Sequence, residues 1–193
     1  MNLLLEKYNE YKSIVNYRMI YELDNGDVID VKIDKNNFPH LIGLHKLLDI
    51  PVIRQFNDMN NKTVSAKYII SKIKKENLLT DSVVRSSSYF TDIEDRYNNF
   101  SKNNFLSLSY TDAIIDFNPH LINSSLKSDY ILFEQFNKGY NHMCIATDKF
   151  CKNYAESFFY EPSDKYISKQ IIVKVNKISI LDNKGNEFVS DEF

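Results

Sequence analysis

Two histidines, His40 and His45, lie on either side of Gly43 in an apolar segment. Imidazole is the side chain best suited to acid–base chemistry near neutral pH, so either ring is a candidate catalytic group. Five residues of an α-helix correspond to a rotation of about 140°, which would put the two rings on different faces. Both can serve one site only if the helix breaks at Gly43; otherwise one is structural. Glycine inside a helix costs about 1 kcal/mol relative to alanine, so we expect a close approach there, by a packed neighbouring element, which we favour, or by a ligand.

A second group of polar side chains follows from residue 156. Strand alternation would place Ser157 and Phe159 on one face of a sheet and Glu156 on the other. Downstream, Tyr166 adds a phenol and Gln170 an amide. A hydroxyl, a phenol and an amide near one sheet edge could hold a phosphodiester, or they could satisfy buried backbone groups. No G-x-S-x-G motif surrounds the serine, which argues against a serine hydrolase.

His142 and Cys144 alternate on one expected strand. Such a pair could bind a metal or act as a nucleophile and its base, but no second ligand pair has suitable spacing. We therefore favour a packed strand face. His120, after Asn118-Pro119, is expected in a loop. The lysine-rich helix face over 67–75 could contact nucleic acid, although such a face is more often simply solvated.

The N-terminal half is predicted to be mainly helical, with one β-hairpin. Apolar residues recur at helical spacing in several segments, and alternating residues flank Asn25-Gly26, a pair that suits a type I′ turn. The expected elements are, in chain order, a helix over 3–16, a hairpin over 18–34, a helix over 37–48, and helices capped by Thr63 and Thr80.

After Asn103-Asn104 the apolar pattern changes to a period of two residues, which is typical of strands. Candidate strands cover 112–117, 129–136, 142–148, 156–161 and 170–181. In the last of them the apolar parity switches, which predicts a bulge or bend near Asn176–Lys177. We expect one α+β domain over 1–193, with a mainly helical part over 1–105 and an antiparallel sheet over 106–193.

Composition limits the function classes. The 193 residues are 43% hydrophobic, which excludes a disordered chain and suffices for a core. The net charge of −2 argues against general attraction to polyanions but allows a local basic patch; the only arginines are Arg18, Arg54, Arg85 and Arg96. Two cysteines form no disulfide framework, and no signal peptide or membrane span is apparent, so we expect a cytoplasmic protein. Walker, Rossmann and HExxH motifs are absent, so no cofactor is expected.

Three stretches together carry a family resemblance. They are the hairpin leading into Asn37-Phe-Pro-His-Leu-Ile-Gly-Leu-His-Lys-Leu47; Ser128-Asp-Tyr-Ile-Leu-Phe133 paired with His142-Met-Cys-Ile145; and Glu156-Ser-Phe-Phe159 followed by Asp164-Lys-Tyr166 and Gln170. In this order they resemble phage- and Firmicute-associated domains of the barnase–EndoU–colicin–RelE nuclease superfamily. The resemblance implies helices packed against a curved antiparallel sheet, and metal-independent cleavage of RNA by attack of the 2′-hydroxyl group.

The resemblance also implies roles for individual residues. His40 or His45 would act as base or acid, with Lys46 near the phosphate. Ser157, Tyr166 and Gln170 would position the phosphate, and Lys32 would contact substrate. The expected partners are RNA and a cognate inhibitor or antitoxin, as for a toxin or a phage-encoded or phage-defence effector.

Two other function classes stay open. A non-catalytic domain could keep this fold and bind protein or nucleic acid, and its imidazoles would then lie buried beneath apolar neighbours. A nucleotide transferase such as an ADP-ribosyltransferase is a third class, but no nucleotide-binding signature is present.

Overall fold

The computed structural model describes residues 2–57, 65–75, 78–124 and 126–192. The α-helices are α1 (Leu3–Ser13), α2 (Phe38–Leu41), α3 (Pro51–Asn57), α4 (Ala66–Lys74), α5 (Asp81–Arg85), α6 (Glu94–Asn99) and α7 (Lys102–Phe105). The strands are β1 (Arg18–Leu23), β2 (Val28–Lys32), β3 (Asp112–Ile115), β4 (Tyr130–Phe136), β5 (Gly139–Thr147), β6 (Asn153–Glu161), β7 (Ile171–Leu181) and β8 (Glu187–Glu192). The predicted α+β class is confirmed.

The sheet is more extensive than predicted. Its strand order is β1-β2-β6-β5-β4-β3-β7-β8, and a further pairing of β1 with β7 closes the first seven strands into a barrel. The N-terminal hairpin is therefore part of the barrel wall, and the prediction of a sheet from the C-terminal half alone is wrong. All strand pairs are antiparallel except β2 with β6, which makes the barrel mixed. The junction of β2 with β6 is short, with Val31 opposite Asn153 as its paired position.

The N-terminal hairpin is confirmed, but its turn is not type I′. A type I′ turn needs a positive φ angle at both central residues. Only Gly26 has one here, at 90°, and its N–H donates to the Leu23 carbonyl at 3.0 Å. Asn25 instead uses its side chain, which accepts a hydrogen bond from the Asp27 N–H. The asparagine thus stabilises the loop without adopting a left-handed backbone.

The helices after residue 80 are shorter than predicted. Thr80 caps α5, as expected, by accepting a hydrogen bond from the Val83 N–H. The helix then stops, because Asp49 accepts hydrogen bonds from the Ser87 hydroxyl and from both the N–H and the hydroxyl of Ser88. Serine groups bonded in this way compete with the helical ladder. The apolar face therefore continues through a separate 3₁₀ turn at Phe90–Asp92 and through α6.

Helix α4 follows its predicted pattern, with Ile69, Ile70 and Ile73 buried. Its cap is Ser65, whose hydroxyl accepts from the Tyr68 N–H; the predicted cap Thr63 lies outside the described residues.

The predicted bulge near Asn176–Lys177 is confirmed. In the pairing of β1 with β7, Glu22 is opposite Lys177 and Leu23 is opposite Val175, so Asn176 is the extra residue. Strand β8, which follows the turn closed by Asp182 and Asn186, was missed. Phe188 of this strand is exposed, so the sequence shows no clear alternation of buried and exposed residues from which the strand could be predicted.

Two apolar clusters fill the molecule. The larger joins the N-terminal helices to one set of strand residues, such as Leu132 and Met143. The smaller holds alternate residues of the same strands, such as Ile131 and Cys144. Within the part of the chain that the structure describes, no helix is long and apolar enough to cross a membrane.

Candidate active site

The predicted helix around the two histidines breaks at Gly43. Helix α2 ends at Leu41, Gly43 adopts a left-handed backbone with φ 81°, and a 3₁₀ turn follows at Leu44–Lys46. The break brings the rings of His40 and His45 together, with their centroids 4.8 Å apart and their planes inclined by 31°. The helix therefore breaks at Gly43, as it must if both histidines are to serve one site.

Close packing explains why residue 43 is glycine. A Cβ atom at this position would lie 2.7 Å from Ile93 Cγ2 and 3.2 Å from Arg96 Cδ. The predicted close approach by a neighbouring element is thus confirmed, and that element is the segment entering α6. Glycine is required here twice over, once for the left-handed backbone and once for the space.

A bulge in β6 brings two adjacent residues into the same cleft. Cys144 of β5 pairs with Ser157, whereas Ile145 pairs with Ala155, so Glu156 is the extra residue on β6. Because a bulge redirects side chains, Glu156 and Ser157 both line the cleft. The prediction that they lie on opposite faces, which assumed regular alternation, is wrong.

The cleft has a volume of about 470 Å³ and lies between the helix break, α6 and β6. It brings together five of the seven residues predicted to act on substrate: His40, His45, Lys46, Ser157 and Tyr166. These residues are separated by as much as 126 positions in the chain, and the barrel brings them to one place.

The other two predicted residues lie elsewhere. Gln170 is bonded to the backbone of Asn118, accepting from its N–H at 3.0 Å and donating to its carbonyl at 3.1 Å. This double contact closes a loop and keeps the amide out of the cleft. Lys32 is exposed on β2, opposite Arg18, and does not line the cleft.

The surroundings of the two imidazoles favour their neutral forms. Burial lowers the pKa of His40, and the positive charge of Arg96 lowers it further. The pKa of His45 is lowered to about 3, mainly by burial and further by the positive charges of His40, Arg96 and Lys46. At neutral pH both rings are therefore unprotonated. Burial has the opposite effect on Glu156 and raises the pKa of its carboxyl group.

Arg96 is a cleft residue that the sequence analysis did not single out. It projects from α6, is 9% exposed, and lines the cleft beside the histidines. Its Nη1 donates to the His40 carbonyl at 3.5 Å, and its guanidinium lies 5.6 Å from the ring centre of Phe159. The available signal was the rarity of arginine, but nothing in the local pattern separates this arginine from the other three.

The remaining histidines do not contribute to the cleft. His142 is fully buried and stacks on Phe159 with ring centres 5.0 Å apart. Cys144 is also fully buried, which confirms the packed strand face predicted for this pair. His120 is exposed in a short 3₁₀ turn at Pro119–Ile122. Among the described residues, no group of three or more His, Cys, Asp or Glu side chains is placed to hold a metal ion.

Paired imidazoles, a buried guanidinium and hydroxyl groups in one cleft of an α+β barrel form a site suited to acid–base chemistry on an anionic substrate. The chain belongs to the phage-Barnase-EndoU-ColicinE5/D-RelE-like nuclease 4 family, whose model matches residues 3–187. The resemblance inferred from the sequence is therefore confirmed, and the family is one of nucleases. Comparison with curated proteins and with solved structures found no match.

Proposed function

We propose that this protein is an endoribonuclease that cleaves RNA by attack of a 2′-hydroxyl group on the adjacent phosphate, with His40 and His45 as its acid–base pair. The observation that carries the proposal is the contact of the two rings, 4.8 Å apart, at a cleft that also contains Arg96. Membership of a nuclease family supports the reaction class. The half-buried position of both rings at the cleft supports catalysis over a purely binding role, in which they would be covered.

The two histidines divide the proton transfers. We assign the proton of the 2′-hydroxyl to His45, which is neutral because burial lowers its pKa; an anion bound in the cleft must raise that pKa for His45 to act as an efficient base. The O2′ atom then forms a bond to phosphorus while the bond from phosphorus to O5′ breaks. His40, protonated in the substrate complex, gives its proton to the departing O5′. The products are a 2′,3′-cyclic phosphate and a 5′-hydroxyl end, and no step uses a metal ion.

The other groups of the cleft position the phosphate. Lys46 lies in the turn that carries His45, and it is exposed enough to reach a phosphate oxygen. Ser157 and Tyr166 also line the cleft, and their hydroxyl groups can donate hydrogen bonds to phosphate or ribose. Gln170 and Lys32 have no part in this proposal, because they lie outside the cleft.

The biological setting is part of the same proposal. The family name associates these nucleases with phages, which supports a role as a toxin or a phage-encoded or phage-defence effector. Such a ribonuclease would need a cognate inhibitor in the cell that makes it, and the open cleft is the surface that an inhibitor would cover.

Cleavage of a labelled single-stranded RNA in the presence of EDTA tests the reaction. We expect 2′,3′-cyclic phosphate ends from the RNA and no cleavage of a matched oligonucleotide that carries 2′-deoxyribose throughout. The variants His40→Gln and His45→Gln should each lower the rate of cleavage at least 100-fold, on the order of what acid–base catalysis contributes.

The control is His120→Gln, because His120 is an exposed histidine outside the cleft. This variant should cleave RNA at the rate of the unmodified protein. Equal cleavage of RNA and of the deoxy oligonucleotide, or full activity in both cleft variants, would refute the mechanism.

A further inference from the structure

Arg96 differs from the other arginines in its partners. The others each donate to a carboxylate or a carbonyl: Arg18 to Asp30, Arg85 to Asp81, and Arg54 to the Leu48 carbonyl. Arg96 is the most buried of the four, yet within the described ranges no carboxylate lies at ion-pair distance from it. Its Nε has no hydrogen-bond acceptor among those residues, and its one hydrogen bond, to the His40 carbonyl, is long at 3.5 Å.

A buried guanidinium without a counter-ion is energetically unfavourable unless something else compensates it. Transfer of a charge out of water is costly, and buried charges in proteins are normally paired. The ring of Phe159 compensates in part, through a cation–π contact at 5.6 Å. It cannot satisfy the N–H groups. Because Nε is fully buried, a ligand in the cleft would be bound by the terminal nitrogens of the guanidinium.

The charges around the cleft also indicate Arg96 as the position for an anion. Three cations line the cleft, namely Arg96, Lys46 and Lys127, together with four carboxylates, Asp92, Asp95, Glu156 and Glu161. Lys46 has an acidic neighbour, because the charge of Asp92 raises its pKa against the lowering effects of burial and Arg96. No carboxylate contributes to the lowered pKa of Arg96, whose first cause is burial. Arg96 is therefore the cation whose charge is least neutralised by the protein itself.

We propose that Arg96 is the anion-binding group of the cleft, and that it takes two oxygens of a phosphate or phosphodiester beside His40. Planar guanidinium matches a pair of phosphate oxygens better than the ammonium of Lys46 does. The site would bind inorganic phosphate by itself. Its identification as the place of the scissile phosphate rests on the proposed ribonuclease function.

Occupation of this site would prepare the acid of the reaction. The titratable and charged groups that line the cleft with His40 come from several elements: His45 and Lys46, Asp92, Asp95 and Arg96, Lys127, Glu156, Tyr160 and Glu161, and Tyr166. Arg96 is the one whose charge lowers the pKa of His40. Tyr154 also lines the small pocket beside His40. An anion held by Arg96 offsets the positive charge that now opposes protonation of His40, so the pKa of His40 should rise when phosphate binds. Binding of the substrate would then cause His40 to take up the proton that O5′ needs.

Proton NMR of the imidazole rings tests the site without requiring catalysis, since the chain has only four histidines. The His40 signal is titrated against pH with and without inorganic phosphate. Chloride at equal ionic strength replaces phosphate in the second series. We expect phosphate to raise the pKa of His40 by about one unit, a tenfold change in proton affinity, and to leave His120 unchanged.

Three variants assign the effect to one side chain. Arg96→Met should abolish the phosphate-dependent shift, and Arg96→Lys should weaken phosphate binding about tenfold by removing the paired donors. Arg18→Met, at an exposed arginine on β1, should retain the full shift. If Arg96→Met does not fold, the titration of the unmodified protein and of Arg96→Lys still decides the question.

The possible outcomes separate this inference from the proposed function. No effect of phosphate on His40 in the unmodified protein, or an equal effect in Arg96→Met, would overturn the anion site. Phosphate binding at Arg96 without cleavage of RNA would leave the anion site standing and would count against the ribonuclease. Cleavage of RNA by Arg96→Met at the rate of the unmodified protein would support the ribonuclease and would count against Arg96 as the site of the scissile phosphate.

Discussion

Replacement of Gly43 by alanine tests the packing on which the histidine pair depends. The substitution adds a Cβ atom 2.7 Å from Ile93 Cγ2 and 3.2 Å from Arg96 Cδ. Ile93 is 1% exposed and has little room to move away. Alanine must also adopt φ 81°, in the left-handed region. The expected cost is about 1–2 kcal/mol for the backbone and about 1–3 kcal/mol for the crowding.

Gly26→Ala is the matched control. Gly26 has a φ angle of 90°, close to that of Gly43, but nothing lies within 4 Å of the Cβ that alanine would add. It should therefore show the backbone cost alone, offset in both variants by the smaller entropy of the unfolded alanine chain. The difference in free energy of unfolding between the two variants should be about 1–3 kcal/mol, which is the crowding term.

Urea unfolding measures this difference, and the midpoint temperature should differ by about 2–4 °C per kcal/mol for a domain of this size. The nuclease and phosphate-binding assays add a second readout. Displacement of Arg96 should weaken both RNA cleavage and phosphate binding in Gly43→Ala, whereas Gly26→Ala should change neither. Equal stability of the two variants, with unchanged activity in both, would refute the claim that the close approach at residue 43 positions the cleft.

Two further predictions concern buried polar groups. The pKa of His142 is lowered to about 4 by burial, so the folded state binds fewer protons than the unfolded state below the ordinary pKa of about 6.5. Stability should fall by about 3 kcal/mol from this residue as the pH drops from 6.5 to 4, and His142→Leu should remove that share of the pH dependence in urea unfolding; identical pH profiles would contradict it. Lys7, 6% exposed, donates to the Phe100 carbonyl at 2.7 Å at the end of α6, so Lys7→Met should cost about 1–3 kcal/mol in the same assay. Lys12→Met, at an exposed lysine of the same helix, should change stability little, and equal effects of the two would show that the buried contact is not stabilising.

Much of the local structure was predictable because it depends on short-range patterns. Apolar spacing located α1, α4 and the strands from β1 to β7, and the parity switch in β7 located the bulge at Asn176. Several of the errors share one cause, which is that contacts from distant residues overrode a local preference. Asp49 interrupts the helical pattern after Arg85 by bonding Ser87 and Ser88.

The cleft was only partly predictable. His40, His45 and Ser157 were candidates because of their chemistry and spacing, and the structure brings them together. Helical geometry required a break at Gly43 if the two histidines were to share one site, but the sequence could not decide whether the helix breaks there. Arg96 could not be identified at all, since its importance comes from burial without a counter-ion, and burial is a property of the folded molecule.

The sequence by itself determined the α+β class, the family and the chemical groups available for catalysis, because residue types and their periodicity are local properties of the chain. Only the tertiary structure decided that the sheet closes into a barrel through the pairing of β1 with β7. It also decided that a bulge turns Glu156 into the cleft beside Ser157, and that the two imidazoles meet next to a buried guanidinium. Strand pairing and burial depend on residues far apart in the chain, and their free energies are fixed only when the whole core has packed.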